Sequence, residues 1–166
     1  MALQIMGEES EKESSDTQII LFKNNCLQKF INEVVRIYPG KAFGYFLSSR
    51  PFGDPEEFFM FKQNIRDEYD DLFEKYGNYY VTNKAGFVST VEETIALERY
   101  IRKNGLFKVG VYHSHQRHPA LLSSIDADLH PDEQLWHLII SLRNLEIPRV
   151  KIFSVKDDEI SERRFL

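Results

Sequence analysis

Phe107-Lys108-Val109-Gly110-Val111-Tyr112-His113-Ser114-His115 is the stretch whose reading decides the fold. Residues 107–112 are rich in Val and aromatics and read as a buried strand, which gives way to a loop and then a helix. If the extended backbone continues through the histidines, positions 113 and 115 point to one side, because side chains alternate along a strand. Two imidazoles on one side of a strand end can share a metal ion. Downstream, Ser123 is followed three positions later by Asp126, and a carboxylate on that helix makes a third ligand. Two histidines, one aspartate and an open fourth position form the pattern of a catalytic zinc site. Ser123-x-x-Asp126 also has the spacing of a capping box, with serine as N-cap and a carboxylate at N3. The two readings are compatible, since the first turn can hold the serine while the carboxylate turns toward a metal.

Composition narrows the field. At 166 residues the chain suits one domain with a real core. A formal charge of −5 without a basic cluster argues against nucleic acid as principal partner. The single cysteine, Cys26, rules out an internal disulfide framework and points to a reducing cytoplasm. It falls on the apolar side of a predicted helix, as a small buried hydrophobe. No apolar run approaches the roughly twenty residues of a membrane span, and nothing resembles a signal peptide, so no membrane partner is expected. The 13 Phe and 8 Tyr imply a well-filled core and some aromatic surface for a partner.

Taken in order, residues 1–16 are polar and acidic and read as a disordered tail, with the domain spanning 17–166. Gln18 to Phe22 is a predicted first strand. Asn24 or Asn25 can cap a helix whose apolar positions Leu27, Phe30, Ile31, Val34 and Ile37 follow the 3.6 period, and Pro39-Gly40 stops it. Ala42 to Ser48 is a central strand, and Phe58 to Phe61 its hairpin partner across a Pro/Gly loop. Residues 64–80 mix charges and aromatics, the first half reading as a short helix ended by Gly77. Ser89 and Thr90 each have a glutamate three residues later, so a capped helix runs from there to Asn104-Gly105. After Asp126 the short helix ends near His130-Pro131. Leu135–Leu142, Arg149–Val155 and Ile160–Phe165 are strands, the last two joined by a turn at Asp157-Asp158. His118, His130 and His137 lack the spacing to join a metal, and His137 reads as a core or sheet-face histidine.

The whole string over residues 113–126, H-S-H-x7-S-x-x-D, resembles the signature of the JAMM (MPN-plus) metalloproteases, the family of the proteasome-lid deubiquitinase and of small bacterial relatives. The resemblance covers about residues 18–165. It implies an α/β sandwich of the MPN, cytidine-deaminase-like type, with a central mixed β-sheet flanked by helices. It implies Zn2+ held by His113, His115 and Asp126, and a Ser123 that helps hold the activated water and its oxyanion. Tyr112, Ser114 and Gln116, beside the ligands, become the substrate-binding candidates, and residues 64–80 become an insertion near the substrate groove. The implied substrate is a ubiquitin-like or sulfur-carrier protein, cut after its C-terminal Gly-Gly. A partner subunit fits the family as well.

The family pattern also requires a glutamate as general base, three residues before a glycine in an early strand. In the segment Pro39-Gly40-Lys41-Ala42-Phe43-Gly44 that position falls on Lys41. An ammonium beside a zinc ion is repelled by it and cannot accept a proton while charged. Four readings stay open. Lys41 is neutralised and acts as the base. A carboxylate from elsewhere, Glu33, Glu56 or Glu57, reaches the groove. Catalysis is lost and the domain binds a tail or a partner subunit. Lysine was introduced in place of the glutamate.

Overall fold

The quoted stretch forms β3 (Phe107–His115), nine residues long and interior to a six-stranded sheet. The structure, a computed structural model, describes residues 17–77, 86–157 and 159–166. On one side β3 pairs antiparallel with β1 (Phe43–Ser48), setting Phe43 opposite His113. On the other it pairs parallel with β4 (Trp136–Ser141), setting His113 opposite Ile139. β1 carries β2 (Glu57–Met60) at one edge, and β4 leads antiparallel to β5 (Arg149–Lys156) and β6 (Glu159–Arg163). The order is β2-β1-β3-β4-β5-β6. A parallel pair needs a long crossover where an antiparallel one needs only a turn. Residues 116–135 supply it, so the chain leaves the sheet just after the histidines.

Helices cover both faces, which is why all six residues of β4 are buried. α1 (Cys26–Ile37) turns Cys26, Phe30 and Val34 inward at helical spacing, into a cluster with Phe46, Tyr112, Leu138, Ile140 and Ile152. The chain then makes three short turns: a 3₁₀ turn (Arg66–Tyr69), α2 (Asp70–Phe73) and a second 3₁₀ turn (Glu74–Tyr76), ended by Gly77 at φ 95°. Arg66 is buried there, its guanidinium 4.4 Å from the centre of the Phe73 ring and paired with Asp70. α3 (Val91–Asn104) packs Leu97 and Ile101 with Phe43, Leu47 and Phe61. Its predicted signals are both present. Thr90 Oγ1 accepts from Glu93 N at 3.2 Å, and Gly105 closes the helix at φ 61°. α4 (Ser124–Asp128) lies in the crossover.

Several expectations are corrected. Gln18–Phe22 is no strand but a single parallel bridge between Ile20 and Phe165. Ile20 N donates to Arg164 O at 3.0 Å and Phe22 N to Leu166 O at 2.8 Å. Asn24 and Asn25, both at φ 56°, then turn the chain before a ladder can grow. Asn25 occupies the N-cap of α1 without a side-chain cap bond, so asparagine serves there by tolerating left-handed backbone. α4 ends at Asp128 with Leu129 as its C-cap, beside His130-Pro131 as expected. The predicted tail 1–16, Tyr79 and Tyr80 of the 64–80 segment, and Asp158 of the last turn lie outside the described residues.

Two features hold the histidine end of β3 in place. A bulge sets Phe46 opposite Gly110 and Leu47 opposite Lys108, leaving Val109 as the extra residue. Across β1, the Tyr112 hydroxyl donates to Phe59 O at 2.9 Å, passing directly over Gly44. A Cβ on Gly44 would sit 1.9 Å from Phe59 O and 2.8 Å from that hydroxyl. Gly44→Ala therefore forces β2 and Tyr112 apart. Overpacking of this kind costs about 1–3 kcal/mol, and urea unfolding should show it as a lowered midpoint. An unchanged midpoint would mean that the edge strand relaxes freely.

Candidate metal centre

His113 and His115 project from one side of the C-terminal end of β3, as alternation requires, and Asp126 meets them from the first turn of α4. The capping box is complete. Ser123 Oγ accepts from Asp126 N at 3.2 Å, and Ser123 N donates to Asp126 Oδ2 at 2.9 Å. The same carboxylate reaches both rings, with Oδ1 3.1 Å from His113 Nε2 and Oδ2 3.4 Å from His115 Nε2. The two Nε2 atoms are 2.9 Å apart. Cap and candidate ligand are thus one side chain.

The opposite ring nitrogens explain why these Nε2 atoms face each other. His115 Nδ1 lies 2.9 Å from Pro119 O. A carbonyl only accepts, so Nδ1 carries the proton and the neutral ring presents a bare Nε2. His113 Nδ1 lies 2.8 Å from His137 Nε2, and His137 Nδ1 lies 3.1 Å from His130 Nδ1. Of the two proton directions that line allows, the one in which His113 donates to His137 and His137 donates to His130 leaves His113 Nε2 bare as well, as a metal requires. His130 Nε2, at the far end, is buried without a hydrogen-bond partner among the described residues. Burial lowers the basicity of His113, His137 and His130, against the pull of Asp126 on the first two. Burial also opposes charging of His115, but Asp126 and the Pro119 carbonyl outweigh it and raise its pKa. Asp126 is buried too, yet the two histidines hold its carboxyl far below the usual carboxylate range.

Two bare imidazoles and an ionised carboxylate fit a divalent cation. Ligands about 2.0–2.1 Å from a tetrahedral zinc lie roughly 3.3 Å from one another; here the two Nε2 atoms are 2.9 Å apart, each has one Asp126 oxygen within 3.4 Å, and one donor atom from each residue lies within 4.8 Å of the others. The set His113, His115 and Asp126 is the metal-capable cluster found among the described residues. Histidine ligands in metal sites also tie their second nitrogen to a carbonyl or another acceptor, as both rings do here.

The donors open into a cavity of about 560 Å3, lined also by Lys41, Phe87, Ser114, Gln116, Arg117, His118 and Ser123. Lys41 is brought there by main-chain bonds. Ser114 Oγ accepts from Ala42 N and Ser114 N donates to Ala42 O, each at 2.8 Å. The Lys41 charge is felt at both His113 and His115, whose protonation it disfavours. Gln116 stands at the rim with its amide bonded to Pro39 O.

Tyr112 does not belong with these. It is 1% exposed, on the opposite face of β3, packed against Phe30 and Phe46. The aromatic core claimed it, so its expected contact with substrate is withdrawn. Ser114 is likewise buried and committed to Ala42. The three glutamates considered as substitutes for the base are engaged elsewhere: Glu33 with Arg36, Glu56 with Ser48 and Ser49, and Glu57 with Tyr100. Asp126 is the sole carboxylate among the described residues lining the cavity. Sequence reasoning missed the roles of His137 and His130, because their approach to His113 is set by the parallel β3–β4 pairing, which no local spacing encodes.

No protein-family model matches the sequence, and no curated protein matches it. Among solved structures, a protein from Desulfitobacterium hafniense superposes with a TM-score of 0.67 at 23% identity, over 89% of this chain and 92% of its own. A protein from Salinibacter ruber gives 0.57 at 20% identity, over 89% and 90%. Both share the mixed α/β fold across nearly the whole chain. A JAB1/MPN domain protein from Archaeoglobus fulgidus gives 0.49 at 14% identity, over 89% and 99%.

Removing the acceptor behind His113 should loosen the metal. His137→Leu is expected to weaken zinc binding about 10–100-fold, read by chelator competition on protein whose circular dichroism is unchanged. Undiminished affinity would show that the His113–His137 bond does nothing for the donor set.

Proposed function

We propose that this chain is a zinc-dependent hydrolase domain of JAMM type, a peptidase or isopeptidase for the C-terminal Gly-Gly tail of a ubiquitin-like or sulfur-carrier protein, and that Lys41 at the base position makes it slow. The observation that carries the reading is the convergence of His113 Nε2, His115 Nε2 and the Asp126 carboxylate at one cavity wall, with the second nitrogen of each ring already engaged. The H-S-H-x7-S-x-x-D string carries the resemblance to the family, and the three side chains lie close enough to hold one cation.

Bound zinc would supply the Lewis acidity that makes water a usable nucleophile near pH 7. The protein's own groups do the rest. Ser123 Oγ already accepts the Asp126 N–H, so its own hydrogen is left to donate to an oxyanion in the cavity. A donor so placed is worth about 10²–10³-fold in rate. Lys41 as an ammonium can donate to a carbonyl oxygen but cannot take a proton. Asp126, shared between two histidines and the Ser123 N–H, is not free to take one either.

That missing acceptor supports a second reading, a metal-loaded domain that holds such a tail, or a partner subunit, without cutting it. One substitution separates the two. Lys41→Glu restores a carboxylate at the base position, and a positioned base contributes about 10²–10⁴-fold. Zinc-loaded Lys41→Glu is therefore expected to cleave ubiquitin-like fusions at least about a hundred times faster than the parent chain. Equal rates in both would remove position 41 from the chemistry, and no cleavage by either would leave the holding role.

A further inference from the structure

His130 lines neither the cavity nor the donor set, yet its contacts bear on where a proton sits inside that set. It stands just past the C-cap of α4, with its Nδ1 3.1 Å from His137 Nδ1. His137 Nε2 in turn lies 2.8 Å from His113 Nδ1. The remaining His130 nitrogen, Nε2, is buried and makes no hydrogen bond to a described group. Burial opposes a charge on that ring, while the carbonyls of Leu135 and Asp132 draw a proton toward them. The turn that presents those carbonyls is closed by Leu135 N, which donates to Asp132 O at 3.0 Å.

Two proton arrangements fit the line of three rings, and every ring is neutral in both. In one, each ring donates outward toward His130, and His113 Nε2 is bare. In the other each donates inward, and an N–H occupies the position from which His113 would hold a metal. A neutral imidazole has a single N–H. The inward arrangement places that of His130 on Nδ1, so Nε2 becomes a buried lone pair near carbonyl oxygens that repel it. A buried acceptor without a donor carries its full desolvation cost. The outward arrangement places the N–H on Nε2, where the same oxygens attract it.

We propose that His130 is a positioning residue for the metal centre, fixing the proton direction through His137 so that His113 presents a bare Nε2 before any metal arrives. This rests on the metal centre described above and extends it beyond the ligands and their immediate partners. His115 is set by one carbonyl, Pro119 O, whereas His113 is set through two further rings.

Long-range proton–nitrogen NMR on the metal-free full chain reads the tautomer of each ring, because a bare ring nitrogen and an N–H resonate far apart. The parent protein should show bare nitrogens at His113 Nε2, His137 Nε2 and His130 Nδ1. His130→Leu removes the outer acceptor. His113 should then populate its Nε2–H form, and zinc affinity, read by chelator competition, should fall about tenfold. His130→Asn offers an amide oxygen where Nδ1 stood and should restore both the ring pattern and the affinity. A protonated His113 Nε2 in the parent would overturn the inference, whether or not the leucine variant folds. Unchanged tautomers in His130→Leu would overturn it too, since any lost affinity would then come from packing alone. A parent protein with the stated ring pattern that takes up no zinc would overturn the metal centre, and with it the role of His130 there, while the proton assignment stood.

Discussion

The contact between the Asp126 carboxylate and the Ser123 N–H is the constraint on which the rest of the site depends. α4 is five residues long, far too short to hold itself as a helix in water. It exists because the reciprocal Ser123–Asp126 bonds satisfy its first turn and because Ile125 is buried beneath it. Without that turn, no acidic group stands opposite His113 and His115 among the described residues of the cavity. A local capping motif has been made to do long-range work, aiming one side chain back at a strand that ended about 36–40 Å of fully extended chain earlier.

The sheet supplies the complementary half. Two histidines at the end of an interior strand are rigid because β1 and β4 grip that strand from both sides, antiparallel on one and parallel on the other. Sites in open α/β sheets favour the carboxyl ends of strands, where neighbouring connections diverge. Here the chain leaves β3 for its crossover, while β1 arrives from the other direction through Lys41 and Ala42. The donors, the lysine and the serine therefore come from three separate segments that meet at one strand end.

How much of this was legible in the sequence follows from the range of each interaction. His113 and His115 share a side because a strand alternates, and Ser123 reaches Asp126 because a helical turn spans three residues; both are local and were readable. Thr90 and Gly105 marked the ends of α3 for the same reason. Tyr112 flanks a ligand in sequence, and in a strand that means facing away from it. His137 reads as a core histidine, which its burial bears out, but its bond to His113 depends on strand pairing across twenty-four positions. Gln18–Phe22 has strand composition, yet the left-handed backbone at Asn24 and Asn25 cuts its partnership short.

The clamp between Ser114 and Ala42 bears on the residue before it. It fixes the location of residue 41 through atoms of its neighbour, none of which belongs to the side chain at 41 itself. The backbone at 41 is thus held by groups that an exchange of its side chain leaves in place, so a change of occupant there alters the charge presented to the cavity.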